Sequence, residues 1–349
     1  MTWLVALRDL QWGRRRFAIA VTATALVFAL GLLMSGVSAS FDNEIRRTVD
    51  AIGADGWLVP AESFGPFTGP ATMPAARAAV ARRLPGVRRA DPIAVLRAST
   101  RTPRRGSVNL LGVVPGGVGS PAGAEARLLE RGLAIADASL GLGVGDGLDL
   151  SGTSFRVGAV THGRTYFAGV PTVTVSLRAA QRLALGGRPL ATAIVTQGAP
   201  VRAPRGFALL GNADVRTDLG RPVAQAKQTI SFIRLLLWAV GAGIIGAIVY
   251  LAALERMREF AALKAIGVST RDLMAGLAAQ AALLSLLSAV LAVALENAIA
   301  PAVAMSVEVS PAALATLPLI AVTAGIAASA LAIRRAVAVD PALAFGAAR

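Results

Sequence analysis

Leu254-Glu255-Arg256-Met257-Arg258-Glu259-Phe260-Ala261-Ala262-Leu263-Lys264-Ala265-Ile266-Gly267 is a charged, helix-prone run closed by a glycine. It lies directly after one long apolar stretch and just before another. Such a run is what a membrane protein shows where it hands force to a cytoplasmic partner. Its reading separates a plain anchor from a moving machine.

The flanking sequence sets the class. The apolar fraction is 55% and the mean hydropathy is +0.62, both above the range of soluble domains. A membrane-spanning helix needs about 20 apolar residues. Four charge-free windows reach that length, at residues 17–41, 235–254, 273–295 and 309–333. The chain has no cysteine, which excludes disulfides and thiolate chemistry. The net charge of +15 comes mostly from arginine, Lys227 and Lys264 being the only lysines. The arginines are scattered, aromatics are few and no nucleic-acid-binding motif is present, so nucleic acid is excluded as a partner.

Short basic flanks orient the spans. Arg8, Arg14, Arg15 and Arg16 precede the first window; Arg256, Arg258, Lys264 and Arg271 lie between the second and third; Arg334, Arg335 and Arg349 follow the fourth. The segment 296–308 has two acids and no base. Both termini are therefore expected in the cytoplasm of a multi-pass inner or plasma membrane protein. Residues 42–228 carry 23 basic residues, but long domains translocate largely regardless of charge. The expected organisation is an amphipathic N-terminal helix within 1–16, spans at 17–41, 229–254, 273–295 and 309–333, and an exterior domain at 42–228. A cytoplasmic loop at 255–272, a short exterior loop at 296–308 and a cytoplasmic tail at 334–349 complete it. Arg14–Arg16 followed by an apolar run and Ser38-Ala39-Ser40 also resembles a signal peptide. The run is longer than the ~7–15 residues of such a segment, which favours an uncleaved span.

Within the exterior domain, residues 42–52 continue the first helix, with Ile45 and Val49 on one face, until Gly53 breaks it. Strands are expected at 56–60, 87–101, 107–113, 154–160, 170–176 and 192–197. Helices are expected at 74–84, with Met73, Ala76, Val80 and Leu84 on one face, and at 177–185. The fold class is an α-helical membrane protein with four transmembrane helices and an extracytoplasmic α+β domain between helices 1 and 2.

Candidate chemistry is sparse. Gly141-Leu142-Gly143-Val144-Gly145-Asp146-Gly147 is followed by a strand pattern, not the helix a dinucleotide loop requires, so it reads as a turn. His162 is the single histidine and has no companion ligand for zinc. The exterior acids show no paired spacing for acid/base catalysis. Neither lysine sits in a phosphate-binding loop, so this chain cannot hydrolyse ATP by that route. The four windows contain no charge, which disfavours a proton or ion path. Gly31, Ser35 and Gly36, then Gly241, Gly243 and Gly246, then Gly325 and Ala328 suit close helix packing.

The opening run is expected to extend the second span as a helix. Surface charge pairs such as Glu255 with Arg258 contribute only a few tenths of a kcal/mol, so stability does not explain the pattern. Phe260, Leu263 and Ile266 form an apolar stripe beside the charges. Gly267 ends the helix, and Ser269 or Thr270 caps the next. Residues 255–267 resemble the cytoplasmic loop of FtsX-like permeases, which include the MacB, LolC/LolE and DevC types of ABC transporter. Arg334-Arg335-Ala336-Val337-Ala338-Val339-Asp340-Pro341-Ala342-Leu343-Ala344 is similar to that family's ending. The Gly145-Asp146 turn, Phe155-Arg156-Val157-Gly158-Ala159-Val160 and Val173-Thr174-Val175-Ser176-Leu177 look like its membrane-proximal domain.

This resemblance implies a non-catalytic permease subunit with no cofactor of its own. It implies a homodimer, or a heterodimer with a sister permease, bound to separate ABC ATPase subunits that hold ATP and Mg. An extracytoplasmic accessory protein and membrane lipids are further implied partners. Glu255, Arg258, Glu259, Leu263, Lys264, Ile266 and Gly267 are the expected ATPase-coupling residues. ATP-driven motion would act on the exterior domain for export, or for extraction at the outer leaflet. The alternatives are a signalling regulator of a cell-wall hydrolase and an importer of a small polar solute such as an amino acid.

Overall fold

A computed structural model describes residues 14–69, 71–101, 105–299, 319, 323 and 327. The expected helix at 2–13, nearly all of the fourth span and the tail lie outside the described residues, as does most of the loop 296–308. In chain order the elements are α1 (Arg14–Ile52), β1 (Gly56–Pro60), β2 (Met73–Pro74), α2 (Ala78–Ala81), β3 (Arg89–Thr100), β4 (Gly106–Val113), α3 (Ala124–Glu130) and β5 (Ala134–Asp137). Then come β6 (Gly147–Leu150), β7 (Thr153–Thr161), β8 (Thr165–Tyr166), β9 (Val170–Ser176), α4 (Leu177–Ala184), β10 (Leu190–Ala191), β11 (Ala193–Gln197) and β12 (Phe207–Leu210). Three helices follow: α5 (Asn212–Glu255), α6 (Met257–Ala265) and α7 (Thr270–Ile299).

Contacts divide the chain into a helical unit, drawn from Met1–Ser40 and Lys227–Arg349, and a head unit, Phe41–Ala226. Among the described residues, three helices are long and apolar enough to cross a membrane: Phe17–Ile52, Asn212–Glu255 and Arg271–Ile299. In the helical unit, Phe28 and Leu32 of α1, Ile245 and Val249 of α5, and Ala281 and Leu284 of α7 share one buried cluster. Glycine makes this packing possible. A Cβ on Gly31 would lie 2.8 Å from Trp238 Nε1, and one on Gly241 would lie 2.4 Å from Phe28 Cε1. Close helix packing is thus realised within the chain at these two positions. Two buried hydroxyls are met within their own helices: Ser35 Oγ donates to the Gly31 carbonyl and Ser285 Oγ to that of Ala281.

At 1.5 Å per residue, α1 and α5 are about 58 and 66 Å long, roughly twice a bilayer's hydrocarbon thickness. Their polar ends belong to the head unit and pack together there. Ile45 and Val49 from α1 and Val215, Leu219 and Val223 from α5 are buried. A Cβ on Gly220 would stand 3.4 Å from Ile45 Cδ1. The expected continuation of α1 to Ile52 holds, with Gly53 at φ 62° ending it. The helical stretch from Asn212, inside the expected exterior domain, was not legible in the sequence.

The head's strands follow the order β12-β1-β11-β3-β4-β9-β5-β7-β6, with β8 beside β9. A bridge between Thr100 of β3 and Leu150 of β6 closes six of them into a ring. Pairing within the ring is mixed, β4–β9 and β5–β7 being parallel. Its core holds Leu110, Leu148, Leu150, Val173 and Val175, with Leu177 and Ala180 of α4 packed in. Ser176 caps α4, its Oγ accepting from Ala179 N. Gly112 lets α4 approach: a Cβ there would stand 2.4 Å from that of Ala180. A second core joins Leu58, Ala90, Ile194 and Phe207 to α2.

Two expectations are corrected here. The helix foreseen at 74–84 is a strand pair, a 3-10 turn and one α turn. It buries Ala78 and Ala81 while Val80 is 47% exposed, so the expected apolar face is not the core face. With Pro85-Gly86 ending the segment, only a short turn fits, and small alanines seat it closely against the sheet.

Candidate functional site

The run 254–267 does not continue α5 without a break. α5 stops at Glu255, and Arg256 at φ −100°, ψ 11° turns the chain before α6 begins. Sequence offered no glycine or proline to mark this break. Arg256 holds the corner itself. Its Nε donates to Glu259 Oε2 at 2.9 Å, its carbonyl accepts from Phe260 N, and its guanidinium carbon sits 5.8 Å from the Phe260 ring centroid.

The far end of α6 is equally defined. Gly267, at φ 95°, occupies the left-handed position after the helix. Val268 N donates to the Leu263 carbonyl and Gly267 N to that of Lys264. This is the paired pattern that satisfies the last carbonyls of a helix. Ser269 then caps α7. Its Oγ accepts from Asp272 N, and the hydroxyl donates to Asp272 Oδ2 at 2.6 Å. Of the two expected caps, Ser269 is the one used.

A nine-residue helix is thus fixed at both ends, and its side chains divide. Phe260 is half-buried and packs on the buried cluster of the helical unit. Glu255, Arg258, Glu259, Leu263, Lys264, Ile266 and Gly267 are all exposed. Ile266 is 79% exposed, a high value for an isoleucine on a helix end. The expected apolar stripe therefore splits: Phe260 anchors the helix, and Leu263 and Ile266 face outward. Arg256 and Phe260 were absent from the expected coupling set, and both position it.

Among the described residues, no cluster of His, Cys, Asp or Glu is arranged to hold a metal. His162 is exposed on the turn before Gly163. Gly145 lies in a turn, with Asp146 Oδ2 accepting from Gly143 N, and β6 follows in place of a helix.

Long apolar helices, a mixed head inserted after the first of them and an anchored, outward-facing helix between two spans define a multi-pass membrane protein of the permease class. The family described as FtsX-like permease C-terminal matches residues 231–341. Two uncharacterised ABC transporter permeases of Mycobacterium tuberculosis are 39% identical over 344 residues and 37% identical over 346. Each match covers 98% of this chain and 98% of the relative. The chain belongs to the FtsX-like ABC transporter permeases. Among solved structures, it is similar to the extracellular domain of the noncanonic ABC-type transporter YknZ from Gram-positive bacteria. That match has a TM-score of 0.34 and 11% identity, covering 45% of this chain and 100% of that one. The periplasmic region of MacB from Actinobacillus actinomycetemcomitans gives 0.35 and 10%, covering 50% and 96%.

Proposed function

We propose that this permease couples ATP hydrolysis in a separate ATPase to movement of its head, with α6 as the docking element. The observation that supports this most is the division of α6: Phe260 and both caps fix its backbone, while charges and two aliphatic side chains face outward. A rigid, exposed, amphipathic helix is suited to a groove on a partner. ATP and Mg belong to that partner. The chain itself is a non-catalytic subunit acting as a dimer, with itself or with a sister permease.

The basic flanks support a topology with both termini and α6 in the cytoplasm and the head outside. Motion of α1 and α5 then reaches the head directly, because their polar ends are part of it. Substrate is exported, or extracted at the outer leaflet, without a charged path through the described spans.

Glu259→Lys combined with Leu263→Asp tests the docking role. The variant is expected to insert normally and lose co-purification with the ATPase; undiminished co-purification rejects the reading. Cysteine labelling tests the topology. A cysteine at Ser154 is expected to react in intact cells and one at Thr270 only after permeabilisation. A pull-down on the full chain separates the alternatives: lipid, lipoprotein or peptide supports transport, and a cell-wall hydrolase supports signalling.

A further inference from the structure

Aromatic residues make up only 5% of the chain, yet four of them form one unbroken run inside the head. Trp57 to Phe67 is 6.1 Å between ring centroids, Phe67 to Tyr166 is 5.4 Å and Tyr166 to Phe167 is 4.9 Å. The last two contacts are edge-to-face, a favoured geometry. The rings come from β1, from the loop after it and from the β8–β9 turn.

A carboxylate from each of two long helices holds the run, Glu44 at its Phe167 end and Asp218 at Phe67. Glu44 of α1 reaches the β8–β9 turn. Its Oε1 accepts from Thr165 Oγ1 at 2.7 Å and from Gly169 N at 2.8 Å, and its Oε2 accepts from Ala168 N at 3.2 Å. Phe167, Ala168 and Gly169 have φ of 59°, 62° and 84°. Left-handed backbone costs a non-glycine residue about 1–2 kcal/mol, so Phe167 and Ala168 need an external hold. Successive N–H groups in such a turn form a natural anion cradle, and Glu44 fills it.

Asp218 of α5 holds Phe67, one ring in from the Trp57 end. Its Oδ2 accepts from Phe67 N at 2.9 Å and Thr68 N at 3.3 Å, and its Oδ1 accepts from Thr68 Oγ1. Asp218 is 1% exposed. Three donors converge on it, which calls for the acceptor-only chemistry of a carboxylate. Gly65 makes room, since a Cβ there would stand 2.1 Å from Asp218 Cγ. Asn212, at the start of α5, accepts from Trp57 Nε1 at 2.8 Å and donates to the Ala54 carbonyl. The direct ion pair between the helices, Arg216 with Asp50, is half-exposed. Exposed pairs of this kind are weak.

We infer that Glu44 and Asp218 are positioning residues that fix α1 and α5 to this aromatic run on either side of the Phe67–Tyr166 contact, so that the 65–68 loop and the β8–β9 turn respond together to either helix. The inference rests on the proposed reading that the helices move the head. Its test needs no ATPase, so the two fail separately.

Hydrogen exchange on the full chain in detergent micelles provides the test. Glu44→Gln is expected to raise exchange about tenfold or more at 167–169 and, through the rings, at 65–68. Phe67→Leu, which keeps both carboxylates, is expected to uncouple the two loops when combined with Glu44→Gln. Asp149→Asn is the control, because Asp149 only accepts from Gly152 N in a separate turn. Should Glu44→Gln fail to fold, Asp218→Asn reads the same coupling in reverse, at 167–169. A response confined to the mutated helix's own loop overturns the inference, and so does a control variant that also loosens 65–68.

Discussion

Glu44 and Glu259 are both helical glutamates, yet their surroundings differ in kind. Glu44 accepts three hydrogen bonds from the β8–β9 turn of the head. Glu259 meets Arg256, three residues away on the same loop, and its side chain is 62% exposed. The same chemistry is committed to folding at one place and left facing outward at the other. Partial burial accompanies the difference. The half-buried Glu44 is held by hydrogen bonds that offset its lost hydration, whereas a solvated carboxylate costs nothing to keep available. On the proposed reading, force enters at α6 and leaves at the head, and the two arrangements suit a stiff joint at one place and a presented surface at the other.

The comparison makes separable predictions. The largest effect is expected for Trp57→Ala. Trp57 is fully buried, and removal of such a side chain costs about 3–5 kcal/mol, read as a lowered midpoint of thermal or denaturant unfolding. Ile266→Ala, on the docking helix, should stay within about 0.5 kcal/mol of the parent while weakening ATPase co-purification. Equal stability losses at the two sites would erase the distinction. Next comes Asp218→Ala, which strands the Phe67 and Thr68 amides and costs about 2 kcal/mol. ATPase co-purification by this variant should match the parent; a loss there would mean that the joint and the docking helix are not independent.

How far the sequence revealed these two regions depends on the range of the interactions. β1 and β9 appear at their expected bounds, Gly56–Pro60 and Val170–Ser176, because apolar strands between breakers carry a local signal. The far end of α6 was legible for the same reason: helix, glycine stop and cap all lie within one short run. The joint was not. Glu44 and Thr165 are 121 residues apart, and Asp218 and Thr68 are 150 apart, so no spacing rule pairs them. Residues 212–226 carry mixed polar sequence with Pro222 inside the helix, and their helix is held by the burial of one face, Val215, Leu219 and Val223. The break at Arg256 was missed because an arginine, not a glycine or proline, makes it.

A smaller effect should appear at the end of the docking helix. Gly267→Ala puts a Cβ on a residue at φ 95°, at a cost of about 1 kcal/mol. The expected result is faster hydrogen exchange at Gly267 and Val268, whose amides close the helix, together with weaker ATPase co-purification. Unchanged exchange would show that the end of α6 tolerates a different backbone.

The smallest effect is a pH dependence inside the joint. Burial pushes the Tyr166 phenol up, with Arg97 pulling weakly the other way. The folded state therefore holds this proton more tightly than the unfolded chain does. Stability is untouched below the ordinary phenol pKa of about 10 and falls as pH rises beyond it, because only the unfolded chain then releases the proton readily. Tyr166→Phe keeps the ring contacts with Phe67 and Phe167 and removes the titrating group. Its stability should decline less steeply than the parent's above pH ~10, measured by denaturant unfolding at a series of alkaline pH values. Glu259→Gln, on the exposed helix, should leave that slope as it is in the parent. Parallel slopes for the parent and Tyr166→Phe would mean that the phenol is not sealed, and that water reaches the rings through the cleft beside Thr48 and Thr172.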